Sequence, residues 1–331
     1  MQYKDKLIET AKKMVAKSKG ILAADESTGT ITKRLDSIEV PSTEENRRKY
    51  RDLLLSTPEM EKYISGVILF DETMRQKSDS GELFPELLLN KGVIPGIKVD
   101  KGAKNLPNFP GEKMTEGLDG LRERFAEYVE MGAGFSKWRS VIVIGDGMPT
   151  EESIDANVDG LVRYAALSQE AGIVPIVEPE VLMDGRHSLE ECKEVTSRTL
   201  KKLFAELKRY RVEFEGLILK PNMIVPGKDF TDQDSVDEVA KATVECFREN
   251  VPSEVPGCVF LSGGLSPDEA CVRLKAINQV SDLPWELSFS FGRALQAEAL
   301  QAWGGKTENS QLMQEVFIKR AEKTSLARDG K

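Results

Sequence analysis

Eight short apolar runs punctuate the chain, and nearly every one ends on a polar or charged residue. ILAAD runs to Asp25, VILFDE to Glu72, PGIKV through Lys98, and FSKWRSVIVI through Lys137 and Arg139. VPIVEPE passes through Glu178 and Glu180, GLILK ends at Lys220, CVFLSGG passes through Ser262, and WELSFSFGR through Ser290 and Arg293. Length and β-rich composition predict strands. The segments between them have helical spacing. Near 118–131, Leu121, Phe125, Tyr128 and Val129 share one face before Gly132, and over about 189–208 Leu189, Cys192, Val195, Leu200, Leu203 and Leu207 do the same. Further helices are predicted near 155–171, 236–249 and 267–277, the last opened by Ser266, Pro267 and Glu269 as a capping box with proline at the first helical position.

Repeated strand–helix units give a parallel sheet, and eight of them can close. The expected fold is therefore a single α/β domain over 1–331, a (β/α)8 TIM barrel. Additional helices near 5–17 and 308–325, the latter with Leu312, Val316 and Phe317, are expected to cover the barrel ends. A doubly wound open sheet is the alternative, although no GxGxxG follows the first strand. Lys101–Gly117 reads as an extended loop after the third strand, of a length that tends to carry function.

Composition narrows the chemistry. A formal net charge of −9 argues against general nucleic-acid binding, so any bound phosphate must meet a local basic cluster. The N-terminal segment mixes charges into a helical pattern and includes Asp5 and Glu9, unlike a signal or transit peptide. No run approaches the ~20 apolar residues of a membrane span. A cytoplasmic protein is expected. Four scattered cysteines without CxxC spacing read as small apolar fillers. His187 is the single histidine, which leaves multi-histidine zinc sites and most histidine triads without residues. No metal or cofactor is expected, and any chemistry must run on lysine and carboxylates.

In a barrel, residues at the carboxyl ends of the strands converge on one mouth. Asp25, Lys98, Lys137, Arg139, Glu178, Glu180, Lys220, Ser262, Ser290 and Arg293 would meet there. Any one alone reads as a solvated residue leaving a strand; the joint pattern points to a site. Lys220, closing an apolar strand near another ammonium such as Lys137, would favour the neutral amine that a Schiff-base nucleophile requires. Glu178 and Asp25 could carry protons, and the iminium would be the electron sink. SGG (262–264) and SFGR (290–293) follow the last two strands, where barrels often hold phosphate, and Arg293 adds a charged fork. Ser27, Thr30, Lys33 and Arg34, with Lys98 on a neighbouring strand end, could hold a second phosphate. Two such sites around one lysine describe a bisphosphorylated sugar cleaved in its middle.

The motifs GILAADESTGT (20–30), NRRKYR (46–51), GVILFDET (66–73), GIKVDKG (96–102), KWR (137–139), VPIVEPE (174–180), LKPNM (219–223), FLSGG (260–264), FSFGRALQ (289–296) and AWGGK (302–306) resemble those of class I fructose-bisphosphate aldolases, along essentially the whole chain. The resemblance implies reversible cleavage of fructose 1,6-bisphosphate to dihydroxyacetone phosphate and glyceraldehyde 3-phosphate. It implies Lys220 as the Schiff-base lysine, Glu178 as proton carrier in carbinolamine formation and dehydration, and Asp25 as base toward the substrate hydroxyl. Lys137 and Arg139 are implied beside the reacting carbons, with Glu180 in support. Ser262, Gly263, Gly292 and Arg293 are implied at the phosphate nearer the ketone; Ser27, Thr30, Arg34 and Lys98 lie toward the other. A homotetramer is also implied. The same machinery would serve sedoheptulose 1,7-bisphosphate or fructose 1-phosphate, and a non-catalytic scaffolding member is the alternative from another class. Three departures stand out: Thr30 for a common serine, Phe291 for a common tyrosine, and an end at RDGK (328–331) without the tail and terminal tyrosine of many members. A chain without that tyrosine needs another donor to protonate the enamine, and Glu178 is the expected candidate.

Overall fold

The computed structural model describes residues 2–331. At its centre is a closed barrel of parallel strands: β1 (Gly20–Ala24), β2 (Ile64–Leu69), β3 (Ile94–Lys98), β4 (Phe135–Ile142), β5 (Val174–Val181), β6 (Ile218–Leu219), β7 (Gly257–Phe260) and β8 (Glu286–Phe291). They pair in chain order, and β8 closes on β1 through Ile21 opposite Ser290. The barrel expectation holds, and the open sheet does not.

Helix α1 (Lys4–Met14) precedes the barrel. Two helices follow each of the first two strands: α2 (Thr28–Asp36) and α3 (Glu44–Ser56), then α4 (Asp71–Arg75) and α5 (Phe84–Asn90). Single crossovers α6 (Leu121–Glu130), α7 (Glu151–Glu170), α8 (Leu189–Arg209), α9 (Val236–Asn250) and α10 (Pro267–Asn278) then join β3 through β8. After β8 come α11 (Arg293–Trp303) and α12 (Ser310–Arg328). Capping boxes start three of the crossovers, pairing Ser188 with Glu191, Ser235 with Glu238 and Ser266 with Glu269. Each such cap is worth about 1 kcal/mol, enough to set where a helix begins. Burial of Cys192, Val195, Leu200, Leu203 and Leu207 then fixes the face that α8 presents to the barrel.

Alternation along each strand divides the core in two. Leu22, Val67, Ile97, Trp138, Val177 and Leu219 point outward and pack under the helices. Ile21, Ala23, Ile68, Phe135, Val174, Ile176, Ile218 and Val259 point inward, where Leu7, Ala11 and Met14 of α1 plug the lower end. Phe135 fills this interior because its neighbours are small: a Cβ on Gly96 would lie 2.3 Å from its ring.

Several boundaries differ from expectation. The VILFDE strand stops at Leu69, because Asp71 and Glu72 open α4, where a helix N-terminus favours acidic side chains. In GLILK only Ile218–Leu219 is strand, and Phe214–Gly216 is a tight helical turn. The stretch 101–117 is not an extended loop but carries an antiparallel hairpin, Ala103–Asn105 with Lys113–Thr115. Glu112 anchors it by accepting from Thr150 N at 2.8 Å and Thr150 Oγ1 at 2.6 Å. The N-terminal helix covers a barrel end as expected. Helix α12 instead lies along the side against α11 and α10, burying Met313 and Phe317 and leaving Leu312 exposed.

Candidate active site

Above the apolar layer the same inward alternation brings charge. On β4, Phe135 is followed inward by Lys137 and Arg139; on β5, Ile176 is followed by Glu178 and Glu180. Strand register sets Lys98 opposite Lys137 and Arg139 opposite Glu178. Lys220 lies just past β6 and stays in the ladder, its backbone N–H donating to Val177 O at 2.8 Å.

Lys137 Nζ sits 2.7 Å from Asp25 Oδ2 and 3.3 Å from Glu178 Oε2, and the other oxygen of Glu178 lies 3.3 Å from Lys220 Nζ. Lys137, Glu178 and Lys220 are each no more than 4% exposed. Burying an ion costs several kcal/mol, so these charges persist together because two ammonium groups alternate with two carboxylates. Burial pushes the Asp25 carboxyl up, yet Lys137, Lys220 and Lys98 outweigh it and hold Asp25 well below the usual carboxylate range. Glu178 is lowered in the same way: burial raises it, and Lys137, Lys220 and Arg139 together win. For Lys137, burial favours the neutral amine, but Asp25, Glu178 and Asp100 raise it far above the ordinary lysine value. Lys137 is thus a fixed cation, and Glu178 a bridging base in contact with both amines. The expected repulsion between Lys137 and Lys220 is offset by the carboxylate between them.

Around this centre Arg139 pairs with Glu180, and Lys98 with Asp100. Asp100 also accepts the backbone N–H of Gly102 at 3.1 Å and of Arg139 at 3.2 Å, so it ties β3 to β4. On one flank, Ser262 and Gly263 form the turn after β7, and Gly292 precedes Arg293 at the start of α11. A Cβ on Gly264, at φ +80°, would lie 2.2 Å from Met183 Sδ, so this turn needs glycine. The Ser290 hydroxyl is buried without a hydrogen-bond partner, a polar group free for a ligand. On the other flank Ser27 stands at the N-cap position of α2 without a side-chain capping bond, its hydroxyl 3.3 Å from that of Thr30.

Every candidate for catalysis, from Asp25 to Lys220, and every named phosphate ligand lines one cavity of about 1110 Å³. One placement differs in detail. Arg34, grouped above with Ser27, Thr30 and Lys98, turns toward the opposite flank, with its Nη2 3.7 Å from where a Cβ on Gly292 would stand. Two further charged residues of the site, Glu26, whose carboxylate pairs with Arg34 and Arg51, and Asp100, are absent from the sequence-based candidates. Asp100 was reachable, since it stands two residues after Lys98 on the same alternating face. Glu26 was not, because alternation turns it away from the barrel axis. Among the described residues no group of three or more His, Cys, Asp and Glu side chains is arranged to hold a metal ion.

Comparison with known proteins settles the family. The model of class I fructose-bisphosphate aldolase matches residues 6–331. The chain belongs to this family. It is 53% identical to a probable fructose-bisphosphate aldolase class 1 of Xylella fastidiosa, over 99% of this chain and 98% of that one. It is 51% identical to the cytosolic fructose-bisphosphate aldolase 4 of Arabidopsis thaliana, over 97% and 82%. The Plasmodium falciparum fructose-bisphosphate aldolase, solved with TRAP and a small-molecule inhibitor, superposes with a TM-score of 0.98 at 50% identity, covering 100% of this chain and 96% of that one. As a class I aldolase the protein is a lyase that reversibly cleaves fructose 1,6-bisphosphate through a lysine Schiff base.

Proposed function

We propose that Lys220 is the Schiff-base lysine of this aldolase and that Glu178 and Asp25 move its protons. The observation that carries this is Glu178 spanning the two buried amines, 3.3 Å from each. Only a neutral amine can add to the substrate ketone. Glu178 can take a Lys220 proton as substrate enters and relay the two amine protons in turn to the ketone oxygen, the first making the carbinolamine hydroxyl and the second releasing it as water, which leaves the iminium. Asp25, kept ionised by Lys137, takes the proton of the substrate hydroxyl; the carbon–carbon bond then breaks and its electrons move into the iminium as an enamine. Lys137, with its proton held firmly, supplies fixed positive charge where oxygen gains negative charge. Arg139, oriented by Glu180, steers the same region. Glu178 is the group nearest Lys220 to protonate the enamine.

The turn at Ser262–Gly263, with Ser290, Gly292 and Arg293, is proposed to hold one phosphate, supported by free backbone N–H groups at the start of α11. Ser27, Thr30 and Lys98 are proposed to hold the other, while Arg34, turned toward Gly292, is proposed to join the first. We further propose that residues 1–331 fold as one domain and that the protein is a cytoplasmic homotetramer. The first rests on the continuous apolar cluster between sheet and helices, the second on kinship with the family. No helix among the described residues is long and apolar enough to cross a membrane.

Reduction with borohydride in the presence of dihydroxyacetone phosphate tests the central assignment. Mass spectrometry should find the adduct on Lys220 and activity should be lost. An adduct confined to any other lysine refutes it.

A further inference from the structure

We propose that Glu26 is a positioning residue of the phosphate site: braced from behind by Arg51, it aims the guanidinium of Arg34 at Gly292. The inference rests on the reading of Arg34 as a phosphate ligand. Glu26 and Arg51 are almost fully buried, and the Glu26 carboxylate is divided between two cations, one oxygen accepting from Arg34 Nη1 and the other from Arg51 Nη2. Gln296, one turn into α11 beyond Arg293, completes the node. Its side-chain amide donates to Glu26 Oε1 at 3.1 Å and to Ala23 O at 2.8 Å, while its oxygen accepts from Tyr50 at 2.9 Å. A carboxylate fixed at the end of β1 therefore meets α2, α3 and α11 at one point.

The charges show why this serves binding rather than stability alone. One carboxylate faces two guanidinium groups, so the node keeps a net positive charge next to the cavity, and only Arg34 of the two cations lines it. Arg34 spends Nη1 on Glu26, whereas Nη2 and Nε donate to no protein atom among the described residues. The free edge faces Gly292, at the start of α11, where N–H groups also lack helix partners. Without Glu26 the long Arg34 side chain regains rotamer freedom and loses much of its directional value. Arg51 is then left as a buried cation without its carboxylate.

The test is a double-mutant cycle on KM and kcat for fructose 1,6-bisphosphate, using Glu26→Gln, Arg34→Gln and the pair, with thermal midpoints measured alongside. Glu26→Gln should raise KM about tenfold and change kcat less than about twofold, since a charged hydrogen bond is lost from uniform binding. In the Arg34→Gln background the same change should add little. A Glu26→Gln enzyme too unstable to assay is replaced by Glu26→Gln/Arg51→Met, which leaves no unpaired buried cation and should show the same rise in KM. An equal rise in both Arg34 backgrounds would mean a general structural role and would overturn the inference, as would an unchanged KM. If Arg34→Gln itself leaves KM unchanged, the phosphate reading of Arg34 fails first, and its separate signature identifies that failure.

Discussion

The lower and upper halves of the barrel interior are made by the same strands on the same alternating face, yet they solve opposite problems. Below, Ile21, Phe135, Ile176 and Ile218 close around the apolar face of α1. Fully burying such side chains contributes about 1.5–3 kcal/mol each, with no partner to satisfy. Above, Lys137, Glu178 and Lys220 are buried as deeply, and each charge must be matched by another. A single strand changes role in two residues, from Ile176 to Glu178 and from Phe135 to Lys137. The lower layer holds the shape that the upper layer uses, and chemistry is confined to where burial is costly.

The sharpest test of that division is to remove the nucleophile. Lys220→Met should lower kcat by more than about 10⁴-fold, because the other amine in contact with Glu178, Lys137, is held as a cation by Asp25 and Glu178 and cannot replace the nucleophile. Its urea midpoint should fall, because Asp25 and Glu178 are left sharing the single ammonium of Lys137, yet the variant should still fold on its apolar layer. An inactive variant that is also unfolded would break the comparison. The converse lies below: Phe135→Ala should cost about 3–5 kcal/mol of stability with KM nearly unchanged in the folded fraction, measured by urea unfolding and by kinetics at low temperature.

Acid should distinguish the layers next, because only the upper one titrates. Asp25 and Glu178 lie below their ordinary values of 3.8 and 4.5, so as pH falls the unfolded chain takes up protons first. Their stabilisation is complete above about 4.5 and drains away as pH drops through that range. Lys137 is raised above its ordinary 10.5, so its share is complete below that value and is lost only as strongly alkaline pH passes its folded value. Urea midpoints measured from pH 3 to 7 should fall on the acid side, and Lys137→Met should flatten that fall.

Much of this was legible in the chain because alternation and strand ends are local signals. VPIVEPE shows both the inward face and its change to carboxylates, and the structure keeps those bounds to within one residue. What escaped depended on distant contacts. The hairpin inside 101–117 has almost no apolar alternation and is held by Glu112 against Thr150, a pairing across 38 positions. β6 is only two residues long because the backbone of Gly216 closes a turn that an apolar count cannot see. Glu26 sits beside Asp25 in the sequence and on the other side of the strand end, so its meaning appears only once α2, α3 and α11 are assembled.

A smaller effect should separate the two flanks of the upper layer. Lys98→Ala ought to raise KM for fructose 1,6-bisphosphate at least about tenfold, the value of a charged hydrogen bond, and alter fructose 1-phosphate much less. Asp100 partly offsets the Lys98 charge, which keeps the effect modest. Equal impairment of both substrates would assign Lys98 to the chemistry or the fold instead.

The smallest effect concerns His187, in the loop between β5 and α8. It is 4% exposed, and neither ring nitrogen meets a partner in hydrogen-bonding geometry. Burial pushes its pKa below the ordinary 6.5, and Glu191, the Val225 carbonyl and Asp184 oppose this only in part. For a base lowered in the folded state, the unfolded chain protonates first, so stability is complete above 6.5 and falls as pH drops below it. With a single histidine in the chain, that slope, at most about 1.4 kcal/mol per pH unit, has one main source between pH 5.5 and 6.5. The loop also matters for binding: His187 O accepts from Gly227 N, Met183 O from Lys228 N, and Met183 packs on Gly264 beside the Ser262–Gly263 turn. Acidification to pH 5.5 should therefore lower the urea midpoint and raise KM for the bisphosphate together, and His187→Gln should remove both trends. A midpoint that falls equally in His187→Gln would move the cause to the carboxylates, and an unchanged KM would show that the loop yields without disturbing the turn.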